Sequence, residues 1–62
     1  MCEANAYLRK GDQDVLVMKN VDHVEPQEGN LLLEDIFGQR KFLGAHIKEL
    51  ALVDHKIILE ED

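Results

Sequence analysis

The feature that most constrains this chain is its punctuation. Turn signals recur at Lys10-Gly11-Asp12-Gln13, Gln27-Glu28-Gly29-Asn30, Phe37-Gly38-Gln39-Arg40 and Asp54-His55-Lys56. Between them the apolar residues come in runs too brief for a self-sustaining helix. A chain interrupted about every ten residues builds from short strands.

Read in order, Cys2 to Arg9 alternates, with Cys2, Ala4, Ala6 and Leu8 on one face and Glu3, Asn5, Tyr7 and Arg9 on the other. After the first turn, Val15 to Met18 is the second strand of a hairpin. Lys19-Asn20 interrupts it, and Val21 and Val24, which do not alternate cleanly, predict a bend or bulge between them. Pro26 has no N–H to donate, so it ends that strand or lies on an edge.

Leu31 to Phe37 is the strongest strand signal and carries apolar groups on both faces. Phe37-Gly38-Gln39-Arg40 turns it into Lys41 to Leu43, with Gly44 as a bulge or corner and Glu34 and Asp35 set against Arg40 and Lys41. Ala45 to Asp54 is mixed. Ile47, Leu50 and Ala51 have helical spacing, whereas Leu50 to Val53 reads as a strand buried on both sides. One helical turn over Ala45-Glu49 followed by a strand from Leu50 accommodates both signals. Ile57 to Glu60 is a terminal strand.

These elements predict a mainly β fold: one domain over residues 1–62, a small SH3-like or OB-like antiparallel barrel or half-barrel of about six short strands. With 62 residues, such a domain buries only about 60% of its unfolded surface. The single cysteine excludes an internal disulfide, which leaves a metal, an oligomer or both as staples. The apolar excess on both faces of Leu31 to Phe37 and of Leu50 to Val53 predicts a homodimer interface, with Phe37 and Phe42 assigned to the core.

Composition narrows the partners. Lys and Arg number 7 against 13 Asp and Glu, a formal net charge of −6, which repels phosphate backbones and anionic lipid. Nucleic acid is therefore disfavoured. With no apolar run of about 18 residues and no signal-peptide pattern, the expectation is a cytoplasmic protein that does not enter a membrane.

Cys2 is the candidate for chemistry. If Met1 is removed, its α-amine and thiolate close a five-membered chelate ring, and deprotonated amides, that of Glu3 first, extend a near-planar N/S field suited to Ni(II) or Cu(II). The Glu3 side chain also lies within reach of whatever Cys2 binds. One cysteine supplies too few ligands, and a symmetric dimer brings two. The competing reading is a small buried hydrophobe.

His23, His46 and His55 are too far apart in sequence to form a local ligand pair, although His55, in a turn, is free to swing toward a neighbour. Asp12 with Asp14 and Glu34 with Asp35 lack a calcium-loop pattern and read as solvated surface. Catalysis by Cys2 needs a base, an oxyanion site and a pocket, for which so small a barrel has little room, so the chain is not read as an enzyme.

The opening Met1-Cys2 with Ala4 and Ala6, the hairpin residues Leu32, Glu34, Asp35, Ile36, Phe37 and Gly38, and the ending Asp54-His55-Lys56-Ile57-Ile58-Leu59 resemble the CooT family over essentially the whole chain. These are small nickel-binding accessories to maturation of the nickel-containing carbon monoxide dehydrogenase. The resemblance implies an SH3-like fold, a homodimer, and Ni(II) held through Cys2, with Glu3 as a secondary ligand through its backbone. It also implies that the partners are the dehydrogenase or its other maturation proteins. Two alternatives stay open from the residues alone: an SH3-like protein-interaction module without metal, and a small-barrel RNA binder.

Overall fold

The computed structural model describes residues 4–62. Strand β1 (Ala4–Lys10) turns at Gly11 into the long β2 (Gln13–Gln27), and Gly29 carries the chain into β3 (Asn30–Asp35). A loop around Gly38 leads to β4 (Arg40–Leu43), Gly44 forms the corner into β5 (Ala45–Ala51), and a turn over residues 52–55 precedes β6 (Lys56–Glu61). Gly11, Gly29 and Gly38 have φ of 61°, 79° and 87°, the left-handed region that glycine enters without penalty.

The six strands form one curled sheet in the order β4-β3-β2-β1-β6-β5, a half-barrel as the turn spacing predicts. Four pairings are antiparallel; β1 and β6 run parallel, with Ala6 opposite Ile57 and Leu8 opposite Leu59. The sheet curls because β2 serves two neighbours. Its first half pairs with β1 (Leu8 opposite Val15) and its second half with β3 (Val24 opposite Leu33).

The irregularity predicted between Val21 and Val24 is a register shift between Val21 and His23 in the pairing with β3. A bend at Asn20, where the sequence shows only a break in the apolar run, lies just before it. Asn20 takes φ 56°, donates its N–H to Asn5 Oδ1 at 3.2 Å, and accepts from Ile36 N–H at 3.0 Å. Asparagine tolerates this conformation better than most residues, and the two bonds hold it. Pro26 sits opposite Leu31 near the end of β2, beyond the described reach of β1, which begins opposite Val21.

The concave face holds the core: Ala6, Met18, Val21, Leu31, Leu33, Ala45 and Leu59, with Leu8, Val17, Val24, Leu43 and Ile57 packed against it. Leu33 and Leu59 are fully buried. Leu32 and Ile58, which strand alternation places on the other face, are buried too. The Leu31 to Leu33 part of the run is thus buried within one chain, while Ile36 and Phe37 stay exposed.

Three expectations fail. Leu50 to Val53 is not a strand buried on both sides: β5 ends at Ala51, and Leu50, Leu52 and Val53 are 53%, 76% and 92% exposed. Ala45 to Glu49 is not a helical turn; it belongs to β5, and the described residues contain no helix. The misleading spacing comes from a bulge: β5 pairs Ile47 with Leu59 but Glu49 with Ile58, so one extra residue, Lys48, shifts the alternation and mimics a helical period. Phe37 and Phe42 are not core either. They are 77% and 56% exposed, because Phe37 rides on the loop after β3 and Phe42 faces outward from the edge strand β4. Among the described residues, no helix is long and apolar enough to cross a membrane.

Candidate functional site

The sequence places interest at the entry to β1. Ala4, Ala51, Leu52, His55, Lys56 and Ile57 line a cleft of about 220 Å3 there. Its position follows from the parallel β1–β6 pair, which sets the start of β1 beside the turn that precedes β6. The Asn5 N–H donates to the His55 carbonyl at 2.9 Å, and the His55 N–H donates to the Leu52 carbonyl at 3.2 Å. His55 itself has φ 56°, and Lys56 Nζ sits 5.5 Å from the Tyr7 ring centre. The turn presents Leu52 and Val53 to solvent at 76% and 92% exposure. Cys2 and Glu3, the predicted ligands, lie outside the described residues.

Two of the histidines lie beside carboxylates. His23 Nε2 lies 3.9 Å from Glu25. His46, early in β5, has Nδ1 2.7 Å from Asp62 Oδ1 and Nε2 3.2 Å from Glu60 Oε1. The bond to Asp62 above all raises the His46 pKa from its ordinary value. Glu60 also accepts from Lys48 Nζ at 2.9 Å, and this bond is the main reason its pKa is lowered.

Cross-strand register extends the charged row: His46 faces Glu60, Glu60 faces Arg9, and Arg9 faces Asp14. Arg9 grips Asp14 with two hydrogen bonds, 2.8 Å and 3.2 Å. These bonds are the largest influence in raising the arginine pKa and lowering that of the carboxylate. Among the described residues, no group of three or more His, Cys, Asp or Glu side chains is arranged to hold a metal ion.

Among the carboxylates, Glu34 accepts from Arg40 Nε at 3.1 Å, as the hairpin charges predict. Asp35 departs from the solvated surface assigned to it. It is buried, and its Oδ1 accepts from the N–H groups of both Phe37 and Gln39 at 2.9 Å. The motif Asp-x-Phe-Gly-Gln was available as a signal, since aspartate readily binds backbone amides two residues ahead. The His46, Glu60 and Asp62 group was not legible without the β5–β6 register.

Residues 1–60 match the family model described as CO dehydrogenase accessory protein CooT. The chain belongs to the CooT family. The crystal structure of a protein assigned as CooT from Carboxydothermus hydrogenoformans superimposes with a TM-score of 0.92 at 52% identity, covering 98% of each chain. No curated protein matches the chain. The CooT match includes the β1 entry, the β3–β4 hairpin and the whole of β6 except its last residue.

Proposed function

We propose that this CooT protein is a nickel carrier that supplies Ni(II) for maturation of a nickel-containing carbon monoxide dehydrogenase in the cytoplasm. The observation that carries this reading is the CooT match over residues 1–60, which takes in Cys2. In the proposed site, Cys2 contributes its thiolate and its terminal or backbone nitrogen, Glu3 contributes its amide, and a second chain contributes the same set. Two such sets satisfy a planar field that one chain leaves half filled.

The geometry around β1 supports the reading in two ways. Ala4, two residues after Cys2 in sequence, lines an open cleft with Ala51, Leu52 and Ile57 as apolar neighbours and His55 and Lys56 as polar ones. Leu52 and Val53 beside it expose apolar surface of the kind a second subunit covers. The chain acts as a carrier and not as a catalyst in this scheme, and its acidic surface draws cations toward it.

The test is a nickel titration of untagged protein beside Cys2→Ser, with intact mass recorded to establish whether Met1 is retained. Saturation near one nickel per two chains, a sulfur-to-nickel charge-transfer band, and loss of both in the variant are expected. Equal binding by the two proteins would overturn the metal reading and leave the metal-free interaction module.

A further inference from the structure

The loop that follows β3 is ordered by more bonds than a surface connection needs. Asp35 Oδ1 receives the amides of Phe37 and Gln39, each at 2.9 Å. The Asp35 carbonyl accepts from Gly38 N–H at 3.1 Å, and its own N–H donates to the Gln39 carbonyl at 3.0 Å. This frame holds Phe37 out in solvent, 77% exposed. A large aromatic fixed in water loses hydrophobic stabilisation and gains nothing for the fold. Such preorganised aromatics are the usual anchors of protein interfaces.

Beside Phe37 lies a groove of about 460 Å3 between β2 and the β3–β4 hairpin, with Val17 and Met18 as its apolar wall. Lys19, Arg40 and Lys41 also line it, three of the seven Lys and Arg residues in a chain of net charge −6. Arg40 is paired with Glu34 at 3.1 Å, whereas Lys19 and Lys41 form no ion pair among the described residues. Lys41 Nζ donates to the Val17 carbonyl at 3.0 Å, which fixes its ammonium on the groove wall. Asp35 lines the groove as well, its Oδ1 accepting from two amides, and its single negative charge stands against three cations. The patch is thus locally cationic on an otherwise anionic molecule.

We propose that this groove is a docking surface for an acidic protein segment, in which Phe37 is the apolar anchor and Lys19, Arg40 and Lys41 the cationic rim. Charge complementarity selects the occupant. A short segment of carboxylates around an apolar side chain meets only the patch. An RNA strand would carry its phosphates beyond the groove, onto surface more negative than the net −6 suggests.

The experiment uses the metal-free full chain and follows backbone amides by NMR during titration with a short peptide of alternating Glu and Leu. A Ser-Leu peptide and a single-stranded oligouridine serve as comparators. The Glu-Leu peptide is expected to shift the amides of residues 17–20 and 37–41. Its affinity should fall at least about tenfold in Phe37→Ala and in Lys19→Ala/Lys41→Ala, while amides across β6 stay in place and show each variant folded.

Four results would overturn the proposal: no shifts, equal binding of the Ser-Leu peptide, tighter binding of the oligouridine at the same amides, or variants that bind as wild type. Shifts of these amides on concentrating the protein alone would assign the groove to a second copy and overturn it as well.

Discussion

His46 Nδ1 lies 2.7 Å from Asp62 Oδ1, a side-chain bond that joins the start of β5 to the residue after β6. The backbone makes the same connection next to it, where Asp62 N–H donates to the Gly44 carbonyl at 3.0 Å. Ala45, one residue before His46, is buried in the core beside Leu31 and Leu59. The bond therefore pins the corner where the chain crosses from the β4 edge of the sheet to the β5 edge.

A pH dependence follows from this bond. The folded His46 pKa is raised, chiefly by Asp62. Its contribution to stability is then complete below the unfolded histidine value and lost as pH rises through the higher folded value. The melting-temperature advantage of wild type over Asp62→Asn should be larger at about pH 5.5 than at about pH 8. An advantage that grew with pH would contradict the assignment. The His46 ring titration followed by NMR should move to lower pH in the same variant.

Asp35→Ala should cost about 1–3 kcal/mol, because the amides of Phe37 and Gln39 lose their acceptor in a partly buried loop. Urea denaturation measures the loss, and hydrogen exchange should speed up at those two amides. Asp35→Asn keeps a carbonyl oxygen at the same place and should cost less.

Asn20→Gly should be close to neutral and Asn20→Val clearly destabilising, by about 1–3 kcal/mol. The reason is the φ of 56° at the bend of β2, which a β-branched residue resists. The backbone bonds of Asn20 to Asn5 and Ile36 survive both changes, so the difference isolates conformation. Equal denaturation midpoints for the two variants would refute it.

Leu33→Ala removes a side chain with no exposure from the centre of the core and should cost about 2–5 kcal/mol. That is a large share of what so small a domain possesses, and the variant should be partly unfolded at room temperature by circular dichroism. Leu52→Ala, at 76% exposure, should change the stability of the isolated chain by no more than about 0.5 kcal/mol.

Much of this fold was legible before the structure. Glycine at 11, 29 and 38 marked turns that take positive φ, and the uneven spacing of Val21 and Val24 marked the register shift between Val21 and His23. Glu34 met Arg40 across the hairpin as the charges implied. What escaped has one physical cause: apolar content tells how much surface wants burial and not which chain segment covers it. Leu31 to Leu33 look like surplus on paper, yet curling of the sheet buries all three. Phe37 and Phe42 look like core, yet a loop held by Asp35 and an edge strand leave them outside. The extra residue in β5 belongs to the same class, since a bulge at Lys48 is defined only by its partner strand. Of the candidate site, the sequence alone points to Cys2 and Glu3, and the structure describes what stands at the entry to β1 instead: Ala4, His55, Leu52 and Val53.

The parallel pairing of β1 with β6 also sets a timetable. Asn5 finds Lys56, and Arg9 finds Glu60, only after nearly the whole chain has been synthesised. Contacts so distant in sequence close late, and chains that depend on them fold slowly for their size. During translation the first strand therefore waits with one flank unpaired, and any enzyme that trims the amino end meets it before the sheet has closed.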